Sequence, residues 1–159
     1  MHPDPSICRV GGHYYLACSS FEYFPGVPVF RSQDLVHWEQ IGNALDRTTQ
    51  LDLPPSTPSS GGVYAPTLRY HDGRFHLITS VVPHAGTLVV TSTDPAGPWS
   101  DPVWLPDVGI DPDLAWDADG TAWCTYMGIQ QVRVDLTTGA ALEAPRKIWS
   151  GTPGAQWPE

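Results

Sequence analysis

Positive charge is scarce in this chain: 8 Lys and Arg face 17 Asp and Glu, a formal net charge of −9. Such a surface repels phosphate backbones, which argues against a nucleic-acid partner. Long apolar runs are missing too. No stretch approaches the roughly 18 residues of a membrane-spanning helix, so no membrane partner is expected. Nothing after Met1 has the basic and then apolar pattern of a secretory leader. Cysteine is limited to Cys8, Cys18 and Cys124, an odd and widely spaced set without CxxC or Cys/His spacing. That pattern offers neither a disulfide framework nor a zinc site and predicts buried free thiols. Helical periodicity is the last absence, since apolar residues seldom recur at i, i+3 and i+4.

The residues that are present point to sheets. Hydrophobic residues make up 41% of the 159, enough for a folded core, while 17 Pro and 15 Gly demand many turns. Three stretches share one layout. They are Ile7 to Val10 with Gly11-Gly12 and His13 to Ser19; Thr67 to Tyr70 with His71-Asp72-Gly73 and Arg74 to Ser80; and Leu114 to Trp116 with Asp117-Ala118-Asp119-Gly120 and Thr121 to Tyr126. Each reads as strand, tight glycine turn, strand. The segments after these hairpins repeat as well: Ser32-Gln33-Asp34 leading to Trp38 returns sixty residues on as Ser92-Thr93-Asp94 leading to Trp99, and more weakly as Val134-Asp135-Leu136 leading to Trp149. The three tryptophans are expected in outer strands and in the core.

A four-stranded antiparallel sheet repeated along the chain is the signature of a β-propeller blade. The prediction is therefore all-β, about three blades of a partial propeller. Closed propellers take about four to eight blades, so residues 1–159 are expected to be part of a larger domain. A β-sandwich of irregular hairpins is the alternative architecture.

Three carboxylates stand out by place. Asp4, in His2-Pro3-Asp4-Pro5-Ser6, and Asp111, in Gly109-Ile110-Asp111-Pro112-Asp113, each lie just before the first strand of a repeat. Glu159, in Gln156-Trp157-Pro158-Glu159, holds a comparable point ahead of a further repeat. Acids delivered from separate blades to one axial pocket are what acid/base cleavage of a sugar linkage requires. Phe21, Tyr23, Phe24 and Tyr64 are candidate substrate-binding walls of a small sugar pocket, because aromatic faces suit the C–H face of a sugar ring. Packing between blades is the alternative role for each of them.

The motifs resemble the opening of glycoside hydrolase family 43, which contains β-xylosidases and α-L-arabinofuranosidases. His2 to Val10, Tyr14 to Ala17, Ser19 to Pro28, Ser32 to Trp38, Gly61 to Thr67, Arg69 to Phe75, Gly109 to Pro112 and Trp157 to Glu159 carry the resemblance, in family order. It implies a five-bladed propeller with an axial site. Carried onto matching positions, Asp4 is the general base that activates water, Asp111 tunes the acid's pKa and orients substrate, and Glu159 is the general acid. The implied reaction inverts the anomeric centre, with carboxyls roughly 6.5–9.5 Å apart to admit a water. It releases terminal xylose or arabinofuranose from xylo- or arabino-oligosaccharides, with xylose favoured. No metal or cofactor is called for.

Two positions depart from that pattern. Asp113 stands where relatives usually carry Ser, and as i+2 from Asp111 on one strand face it is placed either to compete for the pocket or to raise the Asp111 pKa. Tyr64 replaces a common Trp. With the remaining blades absent, the 159 residues alone are expected to be inactive. A non-catalytic carbohydrate-binding propeller is the alternative function, and the axial trio of acids argues against it.

Overall fold

The computed structural model describes residues 2–82 and 86–151. Its strands form three sheets, each built from one contiguous segment. Sheet I contains β1 (Ser6–Val10), β2 (His13–Ala17), β3 (Gly26–Ser32) and β4 (Glu39–Leu45). Sheet II contains β5 (Gly62–Val63), β6 (Thr67–His71), β7 (Arg74–Val82), β8 (Gly86–Ser92) and β9 (Val103–Leu105). Sheet III contains β10 (Asp113–Trp116), β11 (Ala122–Tyr126), β12 (Gln130–Val134) and β13 (Arg146–Lys147). Sheets I and III pair in sequence order, all antiparallel. Sheet II differs from the four-stranded expectation. Its first edge is split, β5 pairing the far end of β7 and β6 the near end, with Pro66 between them unable to donate to the ladder.

The sequential antiparallel meanders match the repeat read from the sequence. At Asp72-Gly73, φ values of 47° and 74° give the left-handed pair that twists a two-residue hairpin correctly. The Ser-x-Asp repeat folds alike in two copies. The Ser32 hydroxyl accepts from the Asp34 and Leu35 amides at 3.2 and 2.9 Å, and the Asp34 carboxylate from Val36 and His37. Likewise the Ser92 hydroxyl accepts from Asp94 N–H at 3.1 Å and the Asp94 carboxylate from Ala96. Asp135 accepts from the Thr137 amide at 2.8 Å in the third copy.

Sheet II is buried on both faces, and its sequence says so. One face of β7 and β8 gives Phe75, Leu77, Val81, Leu88 and Val90 to a core shared with sheet I. The other face gives Ile78 and Val89, with Leu105 of β9, to a second core shared with Leu114, Cys124, Val132 and Val134 of sheet III. Side chains alternate across a strand, so β7 and β8 carry apolar residues on both faces, interrupted by buried Thr79, Ser80 and Thr87. None of the three tryptophans lies in a strand, and the expected burial holds only at Trp99. Trp99 is 3% exposed, but Trp149 is 50% exposed beyond the short β13 and Trp38 is only half-buried.

Polar fasteners set the two seams. Between sheets I and II, buried Gln50 accepts from the Asp46 and Arg47 amides and donates to Ala44 and Ser100 carbonyls, all at 2.9–3.2 Å. Arg47 adds bonds to the Trp99 carbonyl and the Asp101 carboxylate. Between sheets II and III, His71 stacks on Trp116 with centroids 4.5 Å apart, and the Thr87 hydroxyl donates to the Gly109 carbonyl at 3.0 Å.

Candidate active site

The first strands of the three sheets open on related triplets: Asp4-Pro5-Ser6, Ala65-Pro66-Thr67 and Asp111-Pro112-Asp113. The proline fixes φ and ends the turn; the third residue begins β1, β6 or β10. Two cross-sheet bonds align these starts. Leu68 N–H donates to the Ser6 hydroxyl at 3.0 Å, and Arg69 pairs with the Asp113 carboxylate at 2.7 Å. The Asp4 and Asp111 turns therefore lie at the same end of their sheets, on either side of sheet II.

Both aspartates are left-handed, with φ of 51° at Asp4 and 56° at Asp111. Left-handed backbone at a non-glycine residue costs on the order of 1–3 kcal/mol and persists where surrounding structure enforces it. Ala65, at the equivalent place in sheet II, has no positive φ. Among the three strand starts, the left-handed backbone thus falls at the two that carry carboxylates, while Phe21, Val27, Leu35, Ser60, Asp72 and Ile129 share it elsewhere.

Their partners differ. Continuing the β1–β2 register, in which Ser6 faces Ala17, puts Ser19 opposite Asp4. The Ser19 hydroxyl donates to Asp4 Oδ2 at 2.6 Å, and its amide donates to the Pro3 carbonyl at 3.1 Å. Ser19 is 5% exposed, so this contact is shielded from water on the serine side. Continuing the β10–β11 register puts Met127 opposite Asp111, where Met127 N–H donates to the Ile110 carbonyl at 2.9 Å and closes the hairpin through the backbone. Sequence reading missed Ser19, although the register set by the Gly11-Gly12 turn pointed to it.

The aromatic candidates separate into two groups. Phe21 and Tyr64 meet edge to face with centroids 5.9 Å apart, and Phe21 exchanges two 2.9 Å backbone bonds with Val63 of β5. Gly62 makes this approach possible: a side chain there would collide with the Phe21 carbonyl, and φ is 96°. Tyr23 and Phe24 are instead exposed, by 71% and 48%, on the loop that leads to β3. Glu159 lies outside the described residues, so only two of the three expected acids are placed.

Asp113 corrects an expectation. Asp111 sits in a bend with left-handed φ, not in a strand, so the rule that i and i+2 share a face does not relate it to Asp113. The Asp113 carboxylate instead pairs with Arg69 and ties sheet III to sheet II. The cysteines are the free thiols foreseen: burial pushes Cys8 and Cys18 up to about 11 and Cys124 to about 12, which leaves them protonated and unreactive at neutral pH.

The sequence profile of glycosyl hydrolases family 43 matches residues 1–159. The chain belongs to that family. It is 54% identical over 130 residues to a xylosidase/arabinosidase of Butyrivibrio fibrisolvens, an alignment covering 80% of this chain and 24% of that protein. It is 46% identical to the non-reducing end alpha-L-arabinofuranosidase BoGH43B of Bacteroides ovatus, over 98% of this chain and 30% of the relative. Among solved structures, the xylan beta-1,4-xylosidase of Bacillus halodurans C-125 superposes with a TM-score of 0.86 at 39% identity, covering 96% of this chain and 32% of that one. This family 43 chain thus spans about a quarter to a third of the relatives it matches. Its three antiparallel sheets share their fold, and its two Asp-Pro turns hold the carboxylates that the described residues bring to one end of the sheets.

Proposed function

We propose that this chain is the N-terminal part of a five-bladed family 43 propeller that hydrolyses glycosidic bonds with inversion. Asp4 is the general base, Asp111 the aspartate that tunes the acid and orients the sugar, and Glu159 the general acid. The observation that carries this reading is the pairing of two left-handed Asp-Pro turns at one end of the sheets, with Asp4 gripped by a buried serine. A hydroxyl on one carboxylate oxygen leaves the other free to take a proton from water. Holding the base in one orientation converts attack into a step within the complex, where misplacement by 1 Å costs about a hundredfold in rate.

The favoured substrate is a short hemicellulose oligosaccharide, from which the enzyme removes terminal xylose in preference to arabinofuranose. Support comes from the names of the relatives, which include both xylosidases and arabinofuranosidases. Phe21 and Tyr64 offer aromatic edges to a small ring, with Tyr23 and Phe24 on the loop after Phe21. The 159 residues alone are proposed to lack turnover, because the relatives use about three times this length.

The test is hydrolysis of aryl β-D-xyloside and aryl α-L-arabinofuranoside by this chain and by the full product of its gene, with the Asp4→Asn variant beside each. Turnover by the full product, lost in the variant and giving the inverted anomer by proton NMR, is the expected result. Turnover that survives Asp4→Asn overturns the assignment of the base. Turnover by the 159 residues alone overturns the claim that they are inactive.

A further inference from the structure

Asp113 is a carboxylate that the division of labour among Asp4, Asp111 and Glu159 does not use. It begins β10, two residues after Asp111, and two residues of chain span at most about 7 Å. That is comparable to the screening length of about 8 Å at physiological salt. A bare carboxylate at this place would therefore raise the pH at which Asp111 gives up its proton.

The carboxylate is not bare. Arg69 of β6 brings Nη2 to 2.7 Å from Asp113 Oδ1. Its other arm, Nη1, donates to the Leu68 carbonyl at 3.1 Å, and Leu68 N–H in turn donates to the Ser6 hydroxyl of β1 at 3.0 Å. One nitrogen of the planar fork is thus tied to the backbone of β6 and the other to the start of β10. The two side chains are 35% and 51% exposed, so the pair adds little stability and what remains is its charge.

The neighbours leave that charge balance to the pair. His76, opposite Arg69 on β7, is held neutral by burial down to about pH 4. His71, two residues along β6, stacks on Trp116, and Arg74 faces His71 at the hairpin tip. The Cys8 thiol of β1 feels Arg69 and the Cys124 thiol of β11 feels Asp113, and burial keeps both protonated. Among the described residues, Asp113 is the one carboxylate in ion-pair contact with Arg69.

We propose that Arg69 cancels the charge of Asp113, so that Asp111 alone sets the proton affinity of the general acid. The role of Asp111 rests on the glycosidase reading, and the action of the pair on this geometry. Neither member touches substrate; both act through Asp111.

The test follows the Asp111 carboxyl by NMR titration of the full gene product with carbon-13 in its aspartate carboxyls, the signal being assigned by its loss in Asp111→Asn. Asp113→Asn leaves a lone guanidinium and should lower the titration midpoint by about half a pH unit. Arg69→Gln leaves a lone carboxylate and should raise it by about as much. The double variant should return the midpoint to within about 0.2 units of the parent. Arg69→Lys keeps the charge without the fork and should hold the midpoint even where stability falls. The basic limb of aryl glycoside hydrolysis should move in the same directions, and added salt of about 1 M should shrink every shift. A merely structural pair would give both single variants the same direction. That result, unmoved midpoints, or a double variant no nearer the parent than either single one would each overturn the proposal. Opposite shifts in a protein that cleaves neither aryl glycoside would uphold the pair and sink the glycosidase reading.

Discussion

The Asp4 and Asp111 turns share backbone and differ in grip. Each is left-handed, precedes a proline and opens the first strand of its sheet. Asp4 receives a 2.6 Å bond from a buried serine across its own hairpin; Asp111 faces Met127, which is 60% exposed and has no donor on its side chain. A base must place one oxygen against one water, so a fixed carboxylate suits it. A group that acts through its charge on a neighbour tolerates looser orientation, because Coulomb energy falls only slowly with distance. The difference in grip is what the two roles proposed for these chemically identical side chains require.

The largest expected effect breaks the comparison at its stronger side. In the full gene product, Asp4→Asn should lower kcat by about a thousandfold, within the range that general-base removal produces. Asp111→Asn should cost less, about thirtyfold, and should move the basic limb of the pH–rate profile to lower pH. Removing a negative neighbour lets the general acid lose its proton more readily. Equal losses with unmoved limbs would show that the two turns are interchangeable.

Next in size is a change behind the Asp4 turn, at the seam that seats sheet I on sheet II. Gln50→Leu fills the same space but leaves two amides and two carbonyls of that seam without their partner. Buried groups so stranded cost about 1–3 kcal/mol each before relaxation, and a net loss of about 3 kcal/mol is expected, read as a lowered urea midpoint.

How much of this was legible in the sequence depended on how local each signal was. The glycine turns and the Ser-x-Asp repeat are written within a few residues, and the sheets match them closely. Asp4 and Asp111 could be picked out because each lies just before the first strand of a repeat. Ser19 could not, since its role appears only when β1 and β2 are placed in register across fifteen residues of chain. Asp113 misled for the opposite reason: the strand rule applied to it presumed extended backbone at Asp111, and a left-handed φ intervenes. Gln50 carries no pattern at all, and its four bonds reach segments from Ala44 to Ser100. The tryptophans failed where the outer strand is too short to cover them, as at Trp149.

A smaller effect sharpens the comparison directly. Ser19→Ala should reduce kcat by about tenfold with little change in KM, since it frees the carboxylate proposed as base without altering the aromatic residues. Met127→Ala, its counterpart across from Asp111, should change kcat by less than about twofold. Similar losses for the two would mean that the serine serves the hairpin and not the carboxylate.

The smallest effect tests the seam under the Asp111 turn, where titratable groups replace the amide of the first seam. His76 packs against Trp116 at 4.9 Å beside His71 and Arg74, and its buried Nδ1 has no partner among the described residues. Burial first, and then the neighbouring His71 and Arg74 charges, push its pKa down to about 4 from the ordinary 6.5. Between those values the unfolded chain binds a proton that the folded chain refuses, so stability is full above pH 6.5 and falls as pH drops toward 4. After discounting for partial exposure, the loss is about 1 kcal/mol. His37, whose pKa is raised by its bond to Asp34, works in the opposite sense, its contribution fading as pH rises. The two are told apart by the His76→Gln variant, which should flatten the decline in urea midpoint between pH 6.5 and 4. A decline that persists in this variant would place the acid sensitivity elsewhere and leave the second seam no more titratable than the first.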